Sequence, residues 1–140
     1  MAKVPYEIFE HTADIGLRVK GEDLISLFTN SGLALFEVSC RKQFVKDKTH
    51  TRIKVALMAL SLEELFVNWL NELLSLSSAK GLIFHDIKVT KLLYNNLEAA
   101  LTGNNINNYK VHTEIKAATY HNLNFKEVNG RWQVEVILDV

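Results

Sequence analysis

Three short stretches of the chain carry side chains able to do chemistry. His11-Thr12-Ala13-Asp14-Ile15-Gly16 is a compact polar turn between two runs of strand character. Glu114-Ile115-Lys116-Ala117-Ala118-Thr119-Tyr120-His121 begins as an alternating run and bends at two small residues. Asp139-Val140 follows the last apolar run directly, so its carboxylates stand close to ordered structure. Side chains alternate between the faces of a strand. Ile15/Leu17/Val19, Tyr109/Val111/Thr113/Ile115 and Trp132/Val134/Val136/Leu138 set the core-facing parity of three strands. Asp14, Lys116 and Asp139 have the opposite parity in each, which places them on one polar face or rim if the strands are neighbours. Carboxylates gathered in that way, with a terminal carboxylate at Val140, repel one another, and a divalent cation relieves the repulsion. All-oxygen donors suit hard ions such as Ca²⁺, Mg²⁺ or Mn²⁺ better than zinc or copper. A nearby lysine limits the net negative charge and offers a contact to a phosphate or a partner's carboxylate. Each stretch also fits a plainer role: Asp14 as a local cap of backbone amides, Lys116 as a solvated strand residue, Asp139-Val140 as a chain end with no role.

Other chemistry finds little support. There is no P-loop, no G-x-G-x-x-G, no G-x-S-x-G, no H-E-x-x-H and no C-x-x-C. The five histidines, His11, His50, His85, His112 and His121, show no ligand spacing. Cys40 is the single cysteine, so an intramolecular disulfide and a Cys-based zinc site are both excluded. It follows an apolar helical stretch and reads as a small buried side chain. Lys plus Arg and Asp plus Glu both number 16, for zero formal net charge. That balance argues against holding nucleic acid by bulk electrostatics, and it makes any RNA contact indirect or weak. The first residues lack an apolar leader and no apolar stretch reaches membrane-spanning length, so a soluble cytoplasmic protein is expected, with no membrane contact.

The elements that must position these residues are legible in the apolar periodicity. A strand over 6–10 leads through the polar turn to a second strand closed by Gly21. A first helix over 23–39 follows, capped by Asp23, with Gly32 in its middle suiting a close helix–sheet contact. After a strand over 51–60, Ser61 and Glu64 form a capping box for a second helix over 62–78. Leu62, Leu65, Phe66, Trp69, Leu70 and Leu73 give that helix an apolar stripe, with Glu63, Glu64, Asn68, Asn71 and Glu72 off it. Strands over 82–89 and 91–101, a loop over 103–108 and an alternating strand from Tyr109 to Ile115 come next. The strands over 123–128 and 132–138 flank Asn129-Gly130, a strong hairpin signal. The expectation is α+β: two helices packed on mostly antiparallel sheet, in one compact domain over residues 1–140.

Taken together, these stretches resemble the archease family. The likeness starts at Tyr6-Glu7-Ile8-Phe9-Glu10-His11-Thr12-Ala13-Asp14-Ile15-Gly16 and continues through Trp69-Leu70-Asn71-Glu72-Leu73-Leu74 and Leu101-Thr102-Gly103. It runs on through Glu114-Ile115-Lys116-Ala117 and Tyr120-His121 to the terminal Asp139-Val140. The resemblance implies a single archease-like domain that is not itself an enzyme and has no catalytic residue of its own. It implies an activator of the GTP- and Mn-dependent tRNA-splicing RNA ligase, one that promotes guanylylation of the ligase and multiple turnover. It implies one divalent metal site, with calcium among its candidates, held by Asp14, Asp139 and Val140. It also assigns Lys116, and His11 beside the metal turn, to partner binding and activation. Asn122 stands where family members often carry Asp. The alternatives are a chaperone or adaptor for tRNA-processing enzymes, or a metal-dependent phosphoesterase.

Overall fold

Two helices and two antiparallel sheets share one hydrophobic core in this computed structural model, which describes residues 4–11, 13–43, 45 and 47–140, His11 by its main chain alone. Strands β1 (Tyr6–His11) and β2 (Asp14–Gly21) form a hairpin. Helix α1 (Leu24–Ser39) follows, then β3 (Cys40–Lys42), β4 (His50–Met58) and helix α2 (Leu62–Lys80). The second half holds β5 (Leu82–Leu93), β6 (Asn96–Asn105), β7 (Tyr109–Val111), β8 (Ala117–Ala118), β9 (Asn124–Val128) and β10 (Arg131–Asp139). Every strand pairing among the described residues is antiparallel. One sheet runs β1-β2-β10-β8, with β9 also on β10; a second runs β4-β6-β5; β3 and β7 form a small ribbon.

The helices begin and end where their chemistry dictates. The Asp23 carboxylate accepts from the Ser26 N–H at 2.7 Å, and the Ser61 hydroxyl accepts from the Glu64 N–H at 3.2 Å. Each satisfies an amide that the first helical turn leaves without a partner. Glu63 and Glu64 in the first turn of α2 and Lys80 in its last complement the helix dipole. Gly81 closes the helix at φ 64°, the left-handed conformation that a Cβ disfavours. Helix α1 packs on β2 and β5, one strand from each sheet, while α2 packs on β8, β4 and β5. Leu17, Val19, Leu27, Phe28, Leu35, Phe66, Trp69, Leu70, Val134, Val136 and Leu138 are fully buried in the resulting core. The Trp69 indole N–H reaches the Phe28 carbonyl at 2.9 Å, so its polar atom is satisfied inside that core. No helix among the described residues is long and apolar enough to cross a membrane.

Several expectations hold in detail. Asn129 and Gly130 have φ of 55° and 80°, both positive as a type I′ turn between β9 and β10 requires. A Cβ on Gly32 would come within 2.8 Å of Ile87 and Leu73, the close contact expected there. Cys40 is buried, its thiol donates to the Phe36 carbonyl at 3.2 Å, and desolvation raises its pKa, all of which make it unreactive.

Others are corrected. The strands expected over 82–89 and 91–101 run instead over Leu82–Leu93 and Asn96–Asn105 and turn at Tyr94-Asn95, with bulges after Phe84 and Val89. The Asn-rich 103–108 segment is not a loop but the end of β6 and one 3-10 turn. The alternation from Tyr109 to Ile115 is not one strand. Pairing stops at Val111 because the amides of His112 and Thr113 both donate to the Ser39 carbonyl at the end of α1. Val111 is consequently exposed and Ile115 buried.

A tight backbone joint lies between β2 and α1. A Cβ on Gly21 would collide with the backbone N and Cα of Leu27, and backbone cannot swing aside as a side chain can. Gly21→Ala is therefore expected to lower stability by roughly 2 kcal/mol or more. Urea unfolding followed by circular dichroism measures this, and an unchanged midpoint would show that the joint has slack.

Candidate functional site: a carboxylate and lysine rim

The site is built on the face of the β1-β2-β10-β8 sheet that turns away from the core. The register fixes which side chains stand side by side there. One row crosses Glu7, Arg18, Glu135 and Asn124. The next crosses Phe9, Gly16 and Ile137. Continuing β2 and β10 one residue past the Ile15–Leu138 pair puts Asp14 next to Asp139 in a third row, with Ala117 beyond Asp139 and the main chain of His11 paired to Asp14. The two carboxylates singled out in the sequence are thus brought to the same edge of the same sheet.

Each row steadies the next. Arg18 spans three strands, its guanidinium 2.6 Å from the Glu135 carboxylate and 3.2 Å from that of Glu7, with its carbon 5.2 Å from the Phe9 ring centre. The Phe9 ring lies flat against Gly16, where any Cβ would overlap it. Below these, Ala13 takes a φ of 60° to turn the chain into Asp14, which is half-buried. Asp139 is exposed, and the Val140 side chain after it packs against the core, which holds this end of β10 in place.

Lys116 joins the same rim through the backbone. Its N–H donates to the Asp139 carbonyl at 2.8 Å, and the Thr119 N–H and hydroxyl both reach the Ile137 carbonyl. The side chain is exposed because Ile115 before it is buried, not because of the long strand parity expected over 109–115. The side chain of His11 lies outside the described residues, as does Thr12; only the main chain of His11, paired with Asp14, belongs to the description.

Asn71 is the positioning residue that the helical pattern alone did not flag. Its side-chain amide donates to the Ala118 carbonyl at 3.1 Å and accepts from the Ala118 N–H at 2.8 Å, acting as one rung of a ladder between α2 and β8. A half-buried Asn bordering the apolar stripe of α2, one residue after Leu70, was the available signal. Beside it, a groove of about 850 Å³ runs between the second half of α2 and the 111–117 segment, with Ser75, Ser78, Glu114 and Lys116 on its walls. Asn122 has a φ of 53°, a left-handed turn conformation that Asn and Asp both tolerate.

The donors at the rim are carboxylate and main-chain oxygens. Among the described residues no group of three or more His, Cys, Asp or Glu gathers at metal-holding spacing. Oxygen donors of this kind are the chemistry that hard divalent cations prefer.

Fold and rim together define a small α+β protein whose polar edge combines adjacent carboxylates with an exposed lysine. The model of the Archease protein family (MTH1598/TM1083) matches residues 6–140, and the chain belongs to that family. Protein archease of Methanosarcina mazei is 33% identical, over 96% of this chain and 95% of its own length. The solution structure of Methanobacterium thermoautotrophicum protein 1598 superposes with a TM-score of 0.70 at 26% identity, covering 99% of this chain and 100% of the other. The crystal structure of a Thermotoga maritima archease, titled a possible chaperone, matches the fold with a TM-score of 0.66 at 24% identity over 96% of each chain.

The Asn71 rung makes a local prediction. Asn71→Ala should destabilise the protein by about 1–2 kcal/mol, because a buried strand end loses two hydrogen bonds. Amide exchange at Ala118 should accelerate at least tenfold relative to amides in β5 and β6. Unchanged exchange at Ala118 would remove Asn71 from the positioning of Lys116.

Proposed function

We propose that this protein is a metal-binding activator of a GTP-dependent tRNA-splicing RNA ligase, promoting guanylylation of the ligase and its multiple turnover. The observation that carries the reading is the register that sets Asp14 beside Asp139 at one sheet edge, with Lys116 tied to the same strand end. Family membership supplies the partner class. A bound Ca²⁺, Mg²⁺ or Mn²⁺ would neutralise the paired carboxylates and present a positive charge at the rim. Asp14 and Asp139 hold that position from two neighbouring strands, so neither needs a mobile loop to reach it. Lys116 stands at the mouth of the groove along α2, where its ammonium meets a phosphate or a carboxylate of the ligase. His11 borders the turn and belongs to the same contact. With zero net charge, the chain docks through this local arrangement and not through bulk attraction to RNA.

A chaperone or adaptor reading has one observation in its favour. Met58, Leu60, Leu93 and Tyr94 are all exposed, and they come from the turns that end β4 and join β5 to β6. The activator reading accounts for the carboxylate rim, which an adaptor working through those apolar residues leaves unused.

Multiple-turnover RNA ligation by the cognate ligase, with GTP and Mn²⁺, tests the proposal. Wild-type protein should raise the rate, and Asp14→Ala, Asp139→Ala and Lys116→Ala should each cut that stimulation at least tenfold while leaving the melting temperature within a few degrees. Full stimulation by Asp14→Ala would refute the metal rim as the working part. Stimulation lost in Met58→Ser/Leu60→Ser but kept in the rim variants would favour the adaptor.

A further inference from the structure

A second site of different chemistry lies at the far sheet. β4 opens at His50, which pairs with Asn104 on β6. On the other side of β6, β5 carries a bulge between Phe84 and Asp86. His85 is the extra residue of that bulge, and it faces solvent together with Asp86 instead of alternating inward. The two imidazoles meet across the end of β6. His50 Nδ1 and His85 Nε2 are 3.2 Å apart, with the rings edge to face and their centres 5.2 Å apart.

The arrangement is held from below by a buried amide. Asn104 is only 4% exposed. Its Oδ1 accepts from the Tyr109 hydroxyl at 3.3 Å, and the Thr49 carbonyl, an acceptor only, decides which way the amide faces. The Nδ2 end then donates to the Thr49 carbonyl at 3.3 Å and lies 3.3 Å from His50 Nδ1. A donor on that side keeps the proton of His50 on Nε2, so Nδ1 carries its lone pair toward the Asn104 amide and the His85 ring together, and an ion bound there would take the place of the amide contact while Asn104 keeps its bond to Thr49. Burial and the neighbouring His50 hold the His85 pKa below its ordinary value, with Asp86 opposing and Lys42 adding to them.

We propose that His50 and His85 form a two-imidazole site for a borderline transition-metal ion such as Ni²⁺, Zn²⁺ or Cu²⁺, with water completing its coordination. Nitrogens separated by 3.2 Å subtend about 100° at an ion bound at roughly 2.0–2.1 Å from each, between the tetrahedral and octahedral values. Imidazole selects these ions, whereas carboxylate and carbonyl oxygens select Ca²⁺, Mg²⁺ and Mn²⁺. The chain therefore has two sites that sort ions by donor type, and this one is independent of the ligase reading. An ion here ties the start of β4 to the bulge of β5 across the end of β6, linking the outer strands of that sheet.

Thermal unfolding of the full chain with and without saturating NiCl₂ tests the site. Ni²⁺ should raise the melting temperature of the wild type by about 5 °C, since a ligand bound only to the folded state stabilises it. His50→Ala and His85→Ala should each abolish the shift, while His121→Ala and Asp14→Ala should retain it; MgCl₂ should give none. Both rings are exposed, so the metal-free variants should melt close to the wild type. As a second readout that needs no variant, Cu²⁺ should broaden the ring NMR signals of His50 and His85 ahead of those of His112 and His121. An equal Ni²⁺ shift in His85→Ala, no shift in the wild type, or first broadening at His112 or His121 would each overturn the proposal.

Discussion

The pairing of β2 with β10 is the constraint on which the rest of the structure depends. Leu17 and Val19 on one strand and Val134, Val136 and Leu138 on the other point into the core, and all are fully buried. A slip of β10 by one residue would send Val134, Val136 and Leu138 to solvent and draw Asp139 inward. Burial of each such side chain favours the native register by about 1.5–3 kcal/mol, so the cost of a slip is comparable with the roughly 5–15 kcal/mol by which a whole domain is stable. The rim is specified by the core beneath it: Asp14 neighbours Asp139 because the apolar residues permit no other alignment.

The remaining parts of the site are fastened to this ladder by short-range devices. Backbone bonds from Lys116 and Thr119 tie β8 to β10, and Asn71 ties β8 to α2. Arg18 joins β1, β2 and β10 through two carboxylates of opposite charge to its own. The Arg18 ion pairs lie close to solvent, where an individual pair contributes little to stability. The effect of all these links is on geometry: they fix where the strand ends lie, and so what the rim presents.

Much of this was legible in the sequence, for reasons that can be given element by element. The caps at Asp23 and Ser61, the stripe on α2 and the Asn129-Gly130 turn are local signals, and the structure contains them where local chemistry puts them. The turn at Tyr94-Asn95 lacks the glycine that marks a tight hairpin, and two bulges disturb the alternation before it, so the break was placed too early. The alternation through 109–115 was misleading because a carbonyl at the end of α1, remote in sequence, captures the amides that a strand would need. Lys116 was placed on the outside by a parity that does not exist, and it is outside because Ile115 is buried. The adjacency of Asp14 and Asp139 was expected only on the condition that their strands be neighbours, a matter of tertiary pairing. The contact between His50 and His85 joins residues on two strands separated by a third, which no spacing rule could reveal.

The Phe9 ring resting on Gly16 carries a consequence for how such a chain changes over time. A side chain at the glycine would push the ring off its seat, and the ring lies flat only while the glycine is present. The two positions therefore constrain each other unequally: the glycine is held by the ring, whereas the ring can be lost first. Where the aromatic gives way to a small residue, the glycine becomes dispensable, so substitutions of the glycine should follow those of the aromatic.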